Sequence, residues 1–102
     1  MTAPVADGVE DYAPMTPRVV AKTREIVRRL FRLAAVELVV AAQAVDLRAG
    51  IRLGDGTRSI HRFVRSLVAA LDEDRPTGSD FERVAEAIAD GMLRDALAGF
   101  GR

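Results

Sequence analysis

The sequence predicts an all-α chain: one long helix followed by two or three shorter ones, forming part of an intersubunit helical bundle. Three observations lead there. No glycine or proline interrupts the chain between Pro17 and Leu47. The later apolar residues recur at helical spacing, with capping and turn residues between the runs. Within VELVVAAQAVDLR, Val36 to Arg48, apolar residues occupy the whole circumference of the helix.

Residues 1–16 read as an irregular segment, with Pro4, Gly8 and Pro14 and no sustained period. Residues 17–102 read as the helical domain. Thr16-Pro17 is a helix start, a capping side chain followed by proline at the first helical position. Gly50 supplies the stop. A helix of roughly 30 residues would be about 45 Å long, which is much for so small a chain. RAGIRLGDGT then loops to a second helix expected over Thr57 to Leu71. There Ile60, Phe63, Val64, Leu67 and Leu71 share one face and Arg58, Arg62 and Arg65 lie opposite. DEDRPTG is a turn, because the residue before Pro76 is pushed out of helical geometry. Ser79 and Glu82 have capping-box spacing and open a third helix with Phe81, Val84, Ala85, Ile88 and Met92 on its buried face. Gly91 either ends this helix or weakens it, and Leu93 to Ala98 forms a short further piece.

On a wheel of 100° per residue the long helix has two regimes. In its first half Val19, Ile26, Val27, Leu30 and Leu33 form a stripe, opposite Arg24, Arg28 and Arg32 with Glu25 and Arg29. Beyond Leu33 the polar side disappears, and Ala35, Val36, Val39, Val40 and Ala42 stand where arginines stood. A helix apolar all round has to be enclosed on every side. Two short helices of the same chain are too few, so other chains are expected to complete a bundle. Gln43 falls on the former polar side. Glu37 projects from the stripe, and a carboxylate enclosed there needs an arginine or another hydrogen-bond partner.

Composition narrows the function classes. With 15 basic and 15 acidic residues the chain is formally neutral, so no general affinity for nucleic acid or anionic membrane is expected. Arg supplies 14 of those 15 basic residues and favours planar ion pairs. No cysteine and one histidine, His61, leave no donor set for a metal. His61 is expected as a packed or hydrogen-bonded residue. The acidic, polar N-terminus is unlike a signal peptide, and the apolar run from Leu33 to Val45 is too short to span a bilayer. A soluble cytoplasmic protein is expected. The basic helix from Arg18 to Arg32 is the one nucleic-acid candidate, but Glu25 interrupts its charge and stacking aromatics are few.

Four stretches, in order, resemble the C-terminal part of the histidine and aromatic amino-acid ammonia-lyases. VELVVAAQAVDLR is similar to the family's central-bundle helix, with its acidic residue and its Gln-Ala-x-Asp-x-Arg ending at Gln43 to Arg48. SIHRFVRSLV, Ser59 to Val68, resembles a helix with Val-His followed by Val-Arg. LDEDRPTGSDFERVAEAI resembles a Glu-Asp-Arg turn and the capped helix after it. VEDYAPM, Val9 to Met15, resembles a degraded Gln-Glu-Asp-His-Val-Ser-Met motif, with Val9, Tyr12 and Pro14 as departures.

That resemblance implies a helical bundle shared between subunits. Glu10 would then be a catalytic residue, lending acid–base or electrostatic help to amine departure from an aromatic amino acid. The alternative is that Glu10 and Asp11 are solvated residues of a mobile tail. Val36, Glu37, Val39, Val40, Gln43, Asp46 and Arg48 would serve core and assembly. The Ala-Ser-Gly tripeptide that forms the family's methylidene-imidazolone (MIO) prosthetic group is absent, so this chain holds no cofactor and the MIO group is expected in a partner. The chain would not be catalytic alone. The expected partners are a larger lyase-like subunit, copies of itself, or both. The opening methionine suits a natural small subunit of a lyase or aminomutase; a degenerate fragment, or a non-catalytic helical interaction protein, is the alternative.

Overall fold

The computed structural model describes residues 9–48 and 50–99, with side chains from Thr16 onward. Four helices follow in order: α1 (Val9–Leu47), α2 (Asp55–Leu67), α3 (Gly78–Ala89) and α4 (Met92–Ala96). No strand occurs among the described residues, and the predicted all-α class holds. α1 begins at Val9 rather than at Thr16-Pro17. Most of the segment expected to be irregular, residues 1–16, lies outside the residues whose side chains are described.

The chain divides into two compact units, Met1–Leu30 and Phe31–Arg102. In the first, every described side chain from Thr16 to Leu30 is exposed, including Val19, Ile26 and Leu30. The helix surface is supported locally: Arg29 Nε donates to Glu25 Oε1 at 3.1 Å, and the Thr23 hydroxyl donates to the Val19 carbonyl at 2.9 Å. An exposed i, i+4 ion pair contributes only about 0.3–0.5 kcal/mol.

The second unit carries the core. Ala35, Val39 and Ala42 come from α1, Phe63 and Val64 from α2, Val68 from just beyond it, and Val84, Ala85 and Ala87 from α3. The spacing of Ala35, Val39 and Ala42 puts them on one face, continuing the side on which the arginines stand earlier in α1. Two of the three are alanines, and small side chains let neighbouring backbones approach closely. Phe31, Leu38, Leu67, Phe81, Ile88 and Leu93 pack around this cluster. The face opposite remains open, with Leu33 at 57 % and Val40 at 58 % exposure.

α2 is displaced from its expected span. It starts at Asp55, after Gly54 in extended backbone, and stops at Leu67, because Val68 turns to φ −137°, ψ 125°. No glycine or proline causes the stop. Side chains hold the following segment open instead. Arg83 Nη1 donates to the Leu67 carbonyl at 2.9 Å, Arg65 Nη1 to Val68 at 3.1 Å and Arg75 Nη2 to Ala69 at 3.0 Å. Gln43 of α1 engages Leu71 twice, donating to its carbonyl at 3.1 Å and accepting its N–H at 2.9 Å. Four side chains thus replace the partners that helical continuation would have supplied.

α3 opens from Thr77, without a side-chain cap, so the expected Ser79–Glu82 capping box is not formed. Glu82 pairs with Arg32 at 3.0 Å instead. Val84 and Ala85 are buried as expected and Phe81 and Ile88 half-buried, whereas Met92 is 45 % exposed. Ala87 is buried in addition. Gly91 ends α3: its φ of +82° is left-handed, and a Cβ there would lie 3.0 Å from Arg94 Nη2. The expected short piece is α4, placed slightly earlier than Leu93 to Ala98.

Gln43→Ala should lower unfolding free energy by about 1–3 kcal/mol, because it strips a half-buried N–H and carbonyl of their partner. Urea denaturation reads this directly, and a loss within error would show the clamp contributes nothing. Gly91→Ala should destabilise by about 1–2 kcal/mol through left-handed strain, read as a lower melting temperature.

Candidate functional site

The polar centre of the second unit forms around Asp46, near the C-terminal end of α1. His61 and Arg65 lie on successive turns of α2, so both side chains reach the same carboxylate. His61 Nε2 lies 2.8 Å from Asp46 Oδ1, and Arg65 Nε donates to Oδ2 at 2.6 Å. Arg65 Nη2 is also 2.6 Å from Oδ2, but it is buried without an aligned hydrogen bond. The cluster is partly exposed, with the Asp46 side chain at 30 %, His61 at 25 % and Arg65 at 18 %. Burial raises the Asp46 pKa, but the hydrogen bonds and charges of Arg65 and His61 together outweigh it and hold the carboxyl below its ordinary value.

Beside the cluster lies an apolar groove of about 390 Å³. Val40 and Leu47 of α1 form one side, and Val68, Leu71 and Phe81 the other. Arg65 and Arg75 line it as well, each already paired. Arg75 Nη1 donates to Asp80 Oδ2 at 2.6 Å, and Asp80 is 3 % exposed. A buried carboxylate so paired would be strongly destabilising if its arginine were removed.

The sequence-selected residues separate into groups. Asp46 joins the ion-pair cluster, and Gln43, expected to serve core and assembly, clamps Leu71 within the chain. Val39 is buried, Val36 half-buried, and Val40 exposed on the groove. Glu37 is exposed in the single chain, so the enclosure anticipated for it does not come from the chain's own helices. Arg48 is exposed, and its carbonyl accepts the Ile51 N–H at 3.4 Å. Glu10 lies outside the described side chains. His61 is the hydrogen-bonded residue expected. Arg65, Arg75, Asp80 and Arg83 went unselected, although the spacing of His61 and Arg65, one helical turn apart, was a usable signal.

Asp46 held by Arg65 and His61 builds a structural tie; nothing in the cluster is a nucleophile activated by a base. Among the described residues no group of three or more His, Cys, Asp or Glu is placed to hold a metal. No described helix is long and apolar enough to cross a membrane.

The second unit thus presents a paired carboxylate beside an open apolar groove. Residues 1–66 match the aromatic amino acid lyase family model, and the chain belongs to that family. It is similar to the histidine ammonia-lyase of Gloeobacter violaceus, 37 % identical over 100 residues, covering 97 % of this chain and 20 % of that protein. The histidine ammonia-lyase of Anaeromyxobacter dehalogenans is 37 % identical over 90 residues, 88 % of this chain and 18 % of its own length. That of Alkaliphilus oremlandii is 34 % identical over 94 residues, 92 % and 18 % respectively. The chain therefore spans about a fifth of the curated relatives it matches. No solved structure matches it.

Acid should weaken the Asp46 tie. Its folded pKa lies below the ordinary value of 3.8, so the stabilisation is complete above that value and disappears as pH falls through the folded pKa. Urea midpoints measured downward from pH 6 should drop more steeply for the unaltered chain than for Asp46→Asn. Parallel profiles would remove Asp46 from the acid response.

Proposed function

We propose that this chain is the small subunit of a split MIO-type amino-acid ammonia-lyase or aminomutase. It completes the oligomeric core of a larger lyase-like chain and contributes to its active site. The observation that supports this reading is the family match: 97 % of the chain aligns with a histidine ammonia-lyase, along 20 % of that protein's length. The open apolar face of α1, with Leu33 and Val40 exposed opposite the core, supports a role in assembly.

The residues present here do not build the MIO group, because the Ala-Ser-Gly tripeptide is absent. The group belongs to the larger chain, and no step of this chain's chemistry passes through it. What this chain contributes is Glu10, the residue matching the glutamate of the family motif. Set beside the substrate amine of an aromatic amino acid, a carboxylate there favours the ammonium charge and assists its departure. Asp46 and Gln43 act at a distance, by fixing the end of α1 against α2 and the segment after it.

The second reading is a non-catalytic helical interaction or regulatory protein that retains the lyase's assembly surface. The open apolar face of α1 suits it as well, since an assembly surface needs no chemistry of its own. Co-expression with a lyase chain truncated before this segment separates the two. Ammonia release should appear only with both chains, and Glu10→Gln should lower kcat by about tenfold or more, within the range of acid–base contributions. Unchanged turnover would take Glu10 out of the mechanism. Stable binding without ammonia release would favour the second reading.

A further inference from the structure

Val68-Ala69-Ala70-Leu71 is made of residues that favour a helix but held in a shape that is not one. Alanine has the best helix propensity and leucine ranks close behind it. No glycine or proline follows until Pro76. At about 100° per residue, Val68 and Leu71 would fall within about 40° of Val64 if α2 continued to Leu71. Val64 is buried in the core, so both would stay on its side and Ala69 and Ala70 would face outward.

α2 nevertheless ends at Leu67, and Val68 is extended. Ala69 and Ala70 are exposed, and their N–H groups have no protein hydrogen-bond partner among the described residues. One further helical turn would give the N–H groups of Ala69, Ala70 and Leu71 the carbonyls of Arg65, Ser66 and Leu67. The last of those bonds, from Leu71 N–H to the Leu67 carbonyl, is blocked at both ends. Gln43 accepts the Leu71 N–H at 2.9 Å, and Arg83 donates to the Leu67 carbonyl at 2.9 Å. Neither side chain belongs to the Asp46 or Asp80 ion pairs. The open segment also walls the groove, through Val68, Ala69 and Leu71.

We propose that Val68–Leu71 is a conformational switch: one more turn of α2, kept open by Gln43 and Arg83. It closes when these two side chains let go, and it takes one wall of the groove with it. The rearrangement is short. Val68 moves from extended to helical backbone, and Asp72 to Pro76 remain to reach Thr77, spanning up to about 17 Å. Both forms use the Leu67 carbonyl and the Leu71 N–H, so they exclude each other and the segment has two discrete states. A molecule that fills the groove binds the open form and holds it there. This goes beyond the assembly role proposed above and does not depend on it.

Carbon-13 Cα shifts of the full chain test the switch. In the unaltered chain Ala69 to Leu71 should show non-helical values. In Gln43→Ala with Arg83→Ala the same residues should move to helical values, while the core resonances of Val64 and Val84 persist. Adding Ala69→Gly and Ala70→Gly to that pair should reverse the move, because glycine disfavours a helix. If the double substitution unfolds the chain, Arg83→Ala alone takes its place and the shifts should move part of the way. Shifts that stay extended, or that fall to those of an unstructured segment in a chain whose core persists, overturn the proposal. A helical move that the two glycines leave in place overturns it too.

Discussion

The second unit depends on how the chain is held between Leu67 and Leu71. A backbone that leaves a helix without glycine or proline, and without joining a sheet, has carbonyls and amides to satisfy. Here Arg83, Arg65 and Arg75 take three successive carbonyls, and the Gln43 amide takes both polar groups of Leu71. Because those donors come from α1, α2, α3 and the loop before α3, the segment cannot move without disturbing all of them. Arg65 and Arg75 also bind Asp46 and Asp80, so the same two guanidinium groups join backbone capping to ion pairing. This is a use of arginine that lysine's single point charge does not match.

That constraint explains the two-sidedness of α1 in the second unit. Ala35, Val39 and Ala42 are buried in one cluster with residues of α2 and α3, and beside them Gln43 and Asp46 reach Leu71, His61 and Arg65. The cost is that the opposite side faces outward with Leu33, Glu37, Val40 and Leu47. An apolar helix side left open is ordinary for a piece of an assembly and unusual for an isolated domain. Glu37 belongs to that side. Within the chain it stays in solvent.

Much of the fold was legible because helix periodicity, Gly91 and the Asp-Glu-Asp-Arg-Pro turn are local signals. The end of α2 was not, since Leu67 to Leu71 continues the apolar period and only side chains remote in sequence stop the helix. What Gln43 binds was not legible for the same reason: its partner lies 28 residues away, and wheel geometry shows a face without showing what meets it. The capping-box spacing of Ser79 and Glu82 misled because Arg32 offers Glu82 a charged partner. His61 could be assigned by elimination, whereas its pairing with Asp46 required the packing of α1 on α2. The motif at Glu10 was legible only by resemblance, and the described side chains begin after it.

The Gln43–Leu71 pair has a spectroscopic consequence. A side-chain acceptor from another helix holds the Leu71 amide proton, so that proton trades with solvent only when α1 and the segment part. In a hydrogen–deuterium experiment this single site reports the opening of the tertiary junction, separately from fraying of any helix.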